Sequence, residues 1–105
     1  MTARIVQRSW HRGGRLVPSS ARLRSRAMRL APGEAIDWHS TKDREELLLV
    51  LSGILSLELD APHRRRRVKR LKAGSTIYLR PHVTHRVRNA SRRPLVYVYV
   101  TAPHS

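Results

Sequence analysis

The 105-residue chain contains no cysteine. That excludes a disulfide framework, a thiolate metal site and cysteine nucleophilic catalysis. It leaves the redox compartment open, and a cytoplasmic location is the default expectation. Acids are scarce. Asp and Glu total 7 against 22 Lys and Arg, for a formal net charge of +15. A surface so short of acid attracts anions: phosphorylated or carboxylated small molecules, nucleic acid, or acidic membrane. Nineteen of the 22 cations are arginine, a bias that genomic base composition produces as easily as function does. No apolar run approaches the about 18 residues of a membrane helix, so no span is expected. Residues 1–10 lack the apolar core of a signal peptide. There is no phosphate-binding glycine loop, nucleophile elbow or dinucleotide fingerprint, and no strong helix pattern.

What is present reads as one β domain. Residues 46–51 (ELLLVL) and 54–59 (ILSLEL) flank the turn signal Ser52-Gly53. Further short strands are expected over 64–71, 76–79, 85–89 and 95–100, separated by Gly- and Pro-containing breaks. Seven or eight strands at this spacing argue for an antiparallel sandwich or barrel. Residues 1–30 carry eight arginines and no acid, as an organelle-targeting segment would. Yet residues 21–30 (ARLRSRAMRL) already alternate like a strand. The expected organisation is an N-terminal arm over 1–21, strand-forming or swapped, then a domain over 22–101 and a tail over 102–105.

Period-two geometry assigns faces. Glu46, Leu48 and Val50 share one face, and Leu47, Leu49 and Leu51 the other. Both are apolar except for Glu46, so both need cover. In so small a chain one cover is expected from a second subunit, hence a homodimer. An ionised Glu46 on an apolar face needs a metal, a cation or a hydrogen-bond network. His39 and Thr41 share a strand face, as do His85, Val87 and Asn89.

Two blocks stand out, residues 33–53 (GEAIDWHSTKDREELLLVLSG) and 74–89 (GSTIYLRPHVTHRVRN). They resemble the two sequence blocks of the cupin superfamily. The first has Gly33, five residues and His39, then Glu46 six residues before Gly53. The second has Gly74, Pro81, His85, three residues and Asn89. The resemblance spans residues 22–101 and implies a double-stranded β-helix, the cupin jelly-roll barrel. It implies that His39, Glu46 and His85 ligate a divalent metal (iron, manganese, zinc, nickel or cobalt). The position of the family's second histidine holds Thr41, a poor ligand. Two histidines and one carboxylate resemble the facial triad with open positions. Glu46 is then the first candidate for proton transfer, and Thr41 leaves a position vacant or holds a water. Without a metal, Glu46 would pair with an arginine such as Arg44 or Arg80.

Candidate substrate-lining residues are Thr41, Asp37, Tyr78, His82, Tyr97 and Tyr99. Asp37 shares the period-two face of His39, as a weaker ligand or a rim acid. His82 stands at a turn where the family often has glycine. Trp38 is an aromatic candidate read as core filling, Asn89 closes a turn, and Glu45 points away from Glu46. The run 64–67 with Lys69, Arg70 and Lys72 reads as a charged edge strand or a polyanion patch. No stacking aromatic interleaves it. Three functions follow: a metal cupin acting on a small anionic or oxygen-rich molecule, dioxygenase- or isomerase-like; a non-catalytic cupin binding a sugar-type ligand; or a polyanion-binding protein, with nucleic acid as partner.

Overall fold

The computed structural model describes residues 5–11, 13–60 and 67–104. Every regular element among them is a strand: β1 (Gly14–Arg15), β2 (Arg24–Leu30), β3 (Ala35–Ser40), β4 (Arg44–Ser52), β5 (Ile54–Leu59), β6 (Arg67–Lys72), β7 (Thr76–Leu79), β8 (Thr84–Arg88) and β9 (Leu95–Pro103). They form a five-stranded sheet, β1-β2-β9-β4-β7, and a four-stranded sheet, β3-β8-β5-β6. All seven pairings are antiparallel. This is the all-β jelly roll expected from the sequence. No helix among the described residues is long and apolar enough to cross a membrane.

The alternation read in β4 holds. Leu48 and Val50 are 1% and 2% exposed on the inner face, whereas Leu47 is 37% exposed on the outer one. Leu55 and Leu57 of β5 and Leu95 of β9 are fully buried against them. β4 and β5 lie in different sheets, so the chain must turn a corner at the single residue Gly53. Its φ is +85°, and a Cβ there would stand 2.5 Å from the carbonyl oxygen of Pro94. Only glycine tolerates both the left-handed backbone and that approach.

β1 pairs with β2 of its own chain. β9 runs on to Pro103. Of the arginine run, residues 64–66 lie outside the described residues, and Arg67 opens β6. Asn89, 1% exposed, closes the turn before β9. Its amide donates to the carbonyls of Leu30 and Arg93, and its Oδ1 accepts from Ser91.

Candidate metal centre

Three strands from two sheets bring the ligand-type residues together. β3 and β8 are neighbours, with His39 directly opposite His85. Their rings lie 4.3 Å apart, centroid to centroid. Glu46 faces them from β4 of the other sheet. One donor atom from each of His39, Glu46 and His85 lies within 4.8 Å of the other two.

The histidines are presented in one tautomer. The Nδ1 of His39 is 2.8 Å from the carbonyl of Asp37, and the Nδ1 of His85 is 3.0 Å from that of Val83. A carbonyl only accepts, so each Nδ1 carries the proton and each Nε2 offers a lone pair. The Nε2 of His85 stands 3.1 Å from Oε2 of Glu46. Both atoms are buried and neither has an aligned hydrogen-bond partner. Two lone pairs face each other across this gap. Such an arrangement is unfavourable until a cation or a proton sits between them. Burial pulls the pKa of His85 down, but the contact with Glu46, the Val83 carbonyl and the Glu46 charge outweigh it and hold it above its ordinary value. A divalent cation satisfies both atoms at once, so the donor set fits a metal.

The cavity in front of the three residues has a volume of about 650 Å³ and opens to solvent. Thr41, Tyr97 and Tyr99 are among its lining residues. Burial first, then the charge of Glu46, raises the pKa of Tyr97, so its hydroxyl stays protonated.

The other expected residues lie elsewhere. Ile36 pairs with Val87 and His39 with His85, so β3 has one more residue than β8 between these points. This bulge puts Ile36 and His39 on the inner face and breaks the alternation that linked Asp37 to His39. Asp37 is outside the cavity lining, and its Oδ1 accepts from the amide of Trp38 at 2.8 Å. Tyr78 is on the outer face of β7, 51% exposed, and donates to Glu45 at 2.7 Å. His82 is exposed in the β7–β8 turn with φ of +61°, which explains why glycine suits that position. Trp38 lies beneath the guanidinium of Arg86, 5.0 Å from the ring centroid.

The hydroxyl of Thr41 is taken up by the chain itself and is not offered as a ligand. It donates to the carbonyl of Arg80 at 2.7 Å and accepts from the amide of Val83 at 3.0 Å. It ties down the turn whose Val83 carbonyl sets the tautomer of His85. Sequence reasoning also missed Arg24 and Arg26, which line the same cavity from β2. The signal was available, because they share a period-two face with the apolar Met28 and Leu30.

No curated protein matches the chain by sequence. Among solved structures, a predicted oxalate decarboxylase from Thermotoga maritima is 19% identical, with 87% of this chain and 78% of that one covered and a TM-score of 0.76. A cupin conserved-barrel protein from Salinispora arenicola is 22% identical over 86% and 73% of the two chains, with a TM-score of 0.72. The cupin domain of Cnp3 from Schizosaccharomyces pombe gives a TM-score of 0.75 at 12% identity, and this chain (87% covered) spans 59% of its length. Identities this low speak to the fold alone. The cupin-domain family model matches residues 26–101, a stretch that holds all three facing side chains and most of both sheets, and the chain therefore belongs to the cupin family.

Proposed function

We propose that this cupin holds a divalent metal through His39, Glu46 and His85 and acts with it on a small anionic or oxygen-rich molecule. The observation that carries the reading is the buried, unpartnered pair of His85 Nε2 and Glu46 Oε2. When bound, a metal supplies Lewis acidity or dioxygen activation at positions that two histidines and one carboxylate leave open. The chain's own residues do the rest. The carbonyls of Asp37 and Val83 orient the two imidazoles through their Nδ1 atoms. Glu46, buried beside His85, is the candidate proton carrier, and His39 is the exposed member of the trio. Tyr97, protonated throughout the neutral range, is the hydroxyl donor of the cavity wall. The oxalate chemistry in the name of the Thermotoga neighbour is compatible with either an oxidative or a non-oxidative reaction here.

A second reading has one observation in its favour. Thr41 replaces a ligand and is committed to a turn, so the donor set is a residue short of the family's four. In that reading the cavity binds a sugar-type ligand without turnover. The partner reading is a homodimer. Leu47, Tyr78, Val100 and Ala102 form a shallow apolar surface on the outer face of the five-stranded sheet, which a second copy would cover.

Metal analysis of the purified protein, loaded with Fe, Mn, Zn, Ni or Co in turn, tests the main reading. Wild type should hold about one ion per chain, and His85→Ala should lose it with unchanged far-ultraviolet circular dichroism. No stoichiometric ion in wild type under any loading would transfer the case to the ligand-binding reading.

A further inference from the structure

The face of β2 that packs on the core also carries two arginines. Leu30 is buried and Met28 packs against the core. Alternation turns Arg26 and Arg24 to the same side, and both line the cavity of the metal centre. The register locates them. Arg24 and Glu46 pair with Thr101 of β9 from its two sides, and Arg26 and Leu48 pair likewise with Tyr99. Adjacent strands stand about 4.8 Å apart, so Arg24 and Glu46 lie about 10 Å apart, backbone to backbone.

These arginines have no structural employment. Neither forms an ion pair among the described residues. Arg44, which also lines the cavity, is different, because its guanidinium donates to Thr101 and to the carbonyl of Arg22. Arg24 and Arg26 also act on the Tyr99 hydroxyl. Burial pushes its pKa up, and the two guanidiniums pull against that rise. Both side chains are exposed at the mouth of the cavity, where two like charges two residues apart repel. The pair makes sense when an anion lies between it and the histidines.

Resting on the metal reading above, we propose that Arg24 and Arg26 form an anion subsite that grips the far end of the substrate. The substrate is then a small bifunctional molecule. One end is an oxygen-rich group at His39, Glu46 and His85, and the other a carboxylate or phosphate at the arginines. The guanidinium fork pairs with either oxyanion in bidentate fashion. A separation of two strands suits several atoms between the two ends.

Titration calorimetry with succinate, glycerol 3-phosphate and uncharged 1,4-butanediol tests this, on metal-loaded and on chelator-stripped protein. Arg24→Gln/Arg26→Gln is compared with Arg92→Gln/Arg93→Gln, which removes equal charge before the start of β9, at its far end. The cavity double variant should keep its metal and bind the preferred anion at least tenfold more weakly than wild type, with the control variant unchanged. Whichever of succinate and glycerol 3-phosphate binds more tightly identifies the oxyanion, and the diol should not bind. Equal losses in both double variants would show bulk charge rather than a subsite and overturn the proposal. So would failure of both anions to bind wild type. If wild type takes no metal, an anion affinity of stripped protein that still falls tenfold in Arg24→Gln/Arg26→Gln keeps the subsite and rejects only the metal reading.

Discussion

Glu46 and Glu58 are buried to nearly the same degree, 8% and 7% exposed, in a chain with 22 cationic side chains. Their surroundings are opposite. Glu58 lies on the outer face of β5 and accepts from Arg86 at 2.6 Å and from Arg88 at 3.3 Å. Its low exposure comes from cover by those two long side chains rather than from depth in the core. Glu46 faces the interior, and its near neighbour is the imidazole of His85, whose Nε2 stands 3.1 Å from Oε2. The arginines expected to neutralise it in a metal-free barrel do not do so, since Arg44 is engaged with Thr101 and the carbonyl of Arg22. Among the described residues one buried carboxylate is paired with two guanidiniums and the other with none, and the proposed metal centre rests on that contrast.

The largest effect that would sharpen this contrast is on metal affinity. Glu46→Gln should weaken metal binding by at least about 100-fold, since it alters a ligand and not merely its support. Glu58→Gln should leave it unchanged. Equilibrium dialysis with zinc or manganese checks both. The same pair should reverse in metal-free stability. Glu58→Gln is expected to cost about 1 kcal/mol, or several degrees in Tm, because its partners are partly solvated arginines. At a pH above the folded pKa of His85, Glu46→Gln should cost less or even stabilise, because it removes one of two opposed lone pairs. Thermal melts of stripped protein decide this.

The two carboxylates should also give opposite pH trends. Burial raises the pKa of Glu58, but its hydrogen bonds and the charges of Arg86 and Arg88 outweigh that and bring it below its ordinary value. Its stabilisation is present above the unfolded carboxylate value and is lost as pH falls through the folded one. The pKa of His85 is raised in the metal-free protein. That contribution is present below the ordinary imidazole value and is lost as pH rises through the folded one. Metal competes with the same proton, so retention should improve over the pH range in which metal-free stability declines. Denaturant melts against pH, with and without metal, should show these slopes, and Glu46→Gln should flatten the second. The smallest effect belongs to Thr41→Val. Losing its two hydrogen bonds should cost about 1 kcal/mol and weaken metal binding a few-fold through the Val83 turn, as calorimetry would show.

The spacing of Gly33, His39, Glu46 and Gly53, with His85 and Asn89, made the fold and the facing trio legible before any coordinates. Alternation served β4 well because its pairing is regular from Glu46 to Val50. It failed for Asp37, since strict period two contains no bulge and only the pairing of β3 with β8 reveals one. The sequence offers Tyr78 only as an aromatic candidate with no face assigned, and its register opposite the exposed Leu47 puts it on the outer face. Thr41 was visible as a missing ligand, but its bonds to Arg80 and Val83 join residues about 40 apart in sequence and could not be read locally. Arg24 and Arg26 were hidden by abundance, among nineteen arginines.

The central claim is that one ion is shared by β3, β4 and β8. Anomalous diffraction from crystals grown with manganese or zinc tests it most directly. The account requires a single strong peak bounded by Nε2 of His39, Nε2 of His85 and the carboxylate of Glu46. A map without density there, or with the ion held elsewhere while His85 still abuts Glu46, would contradict it.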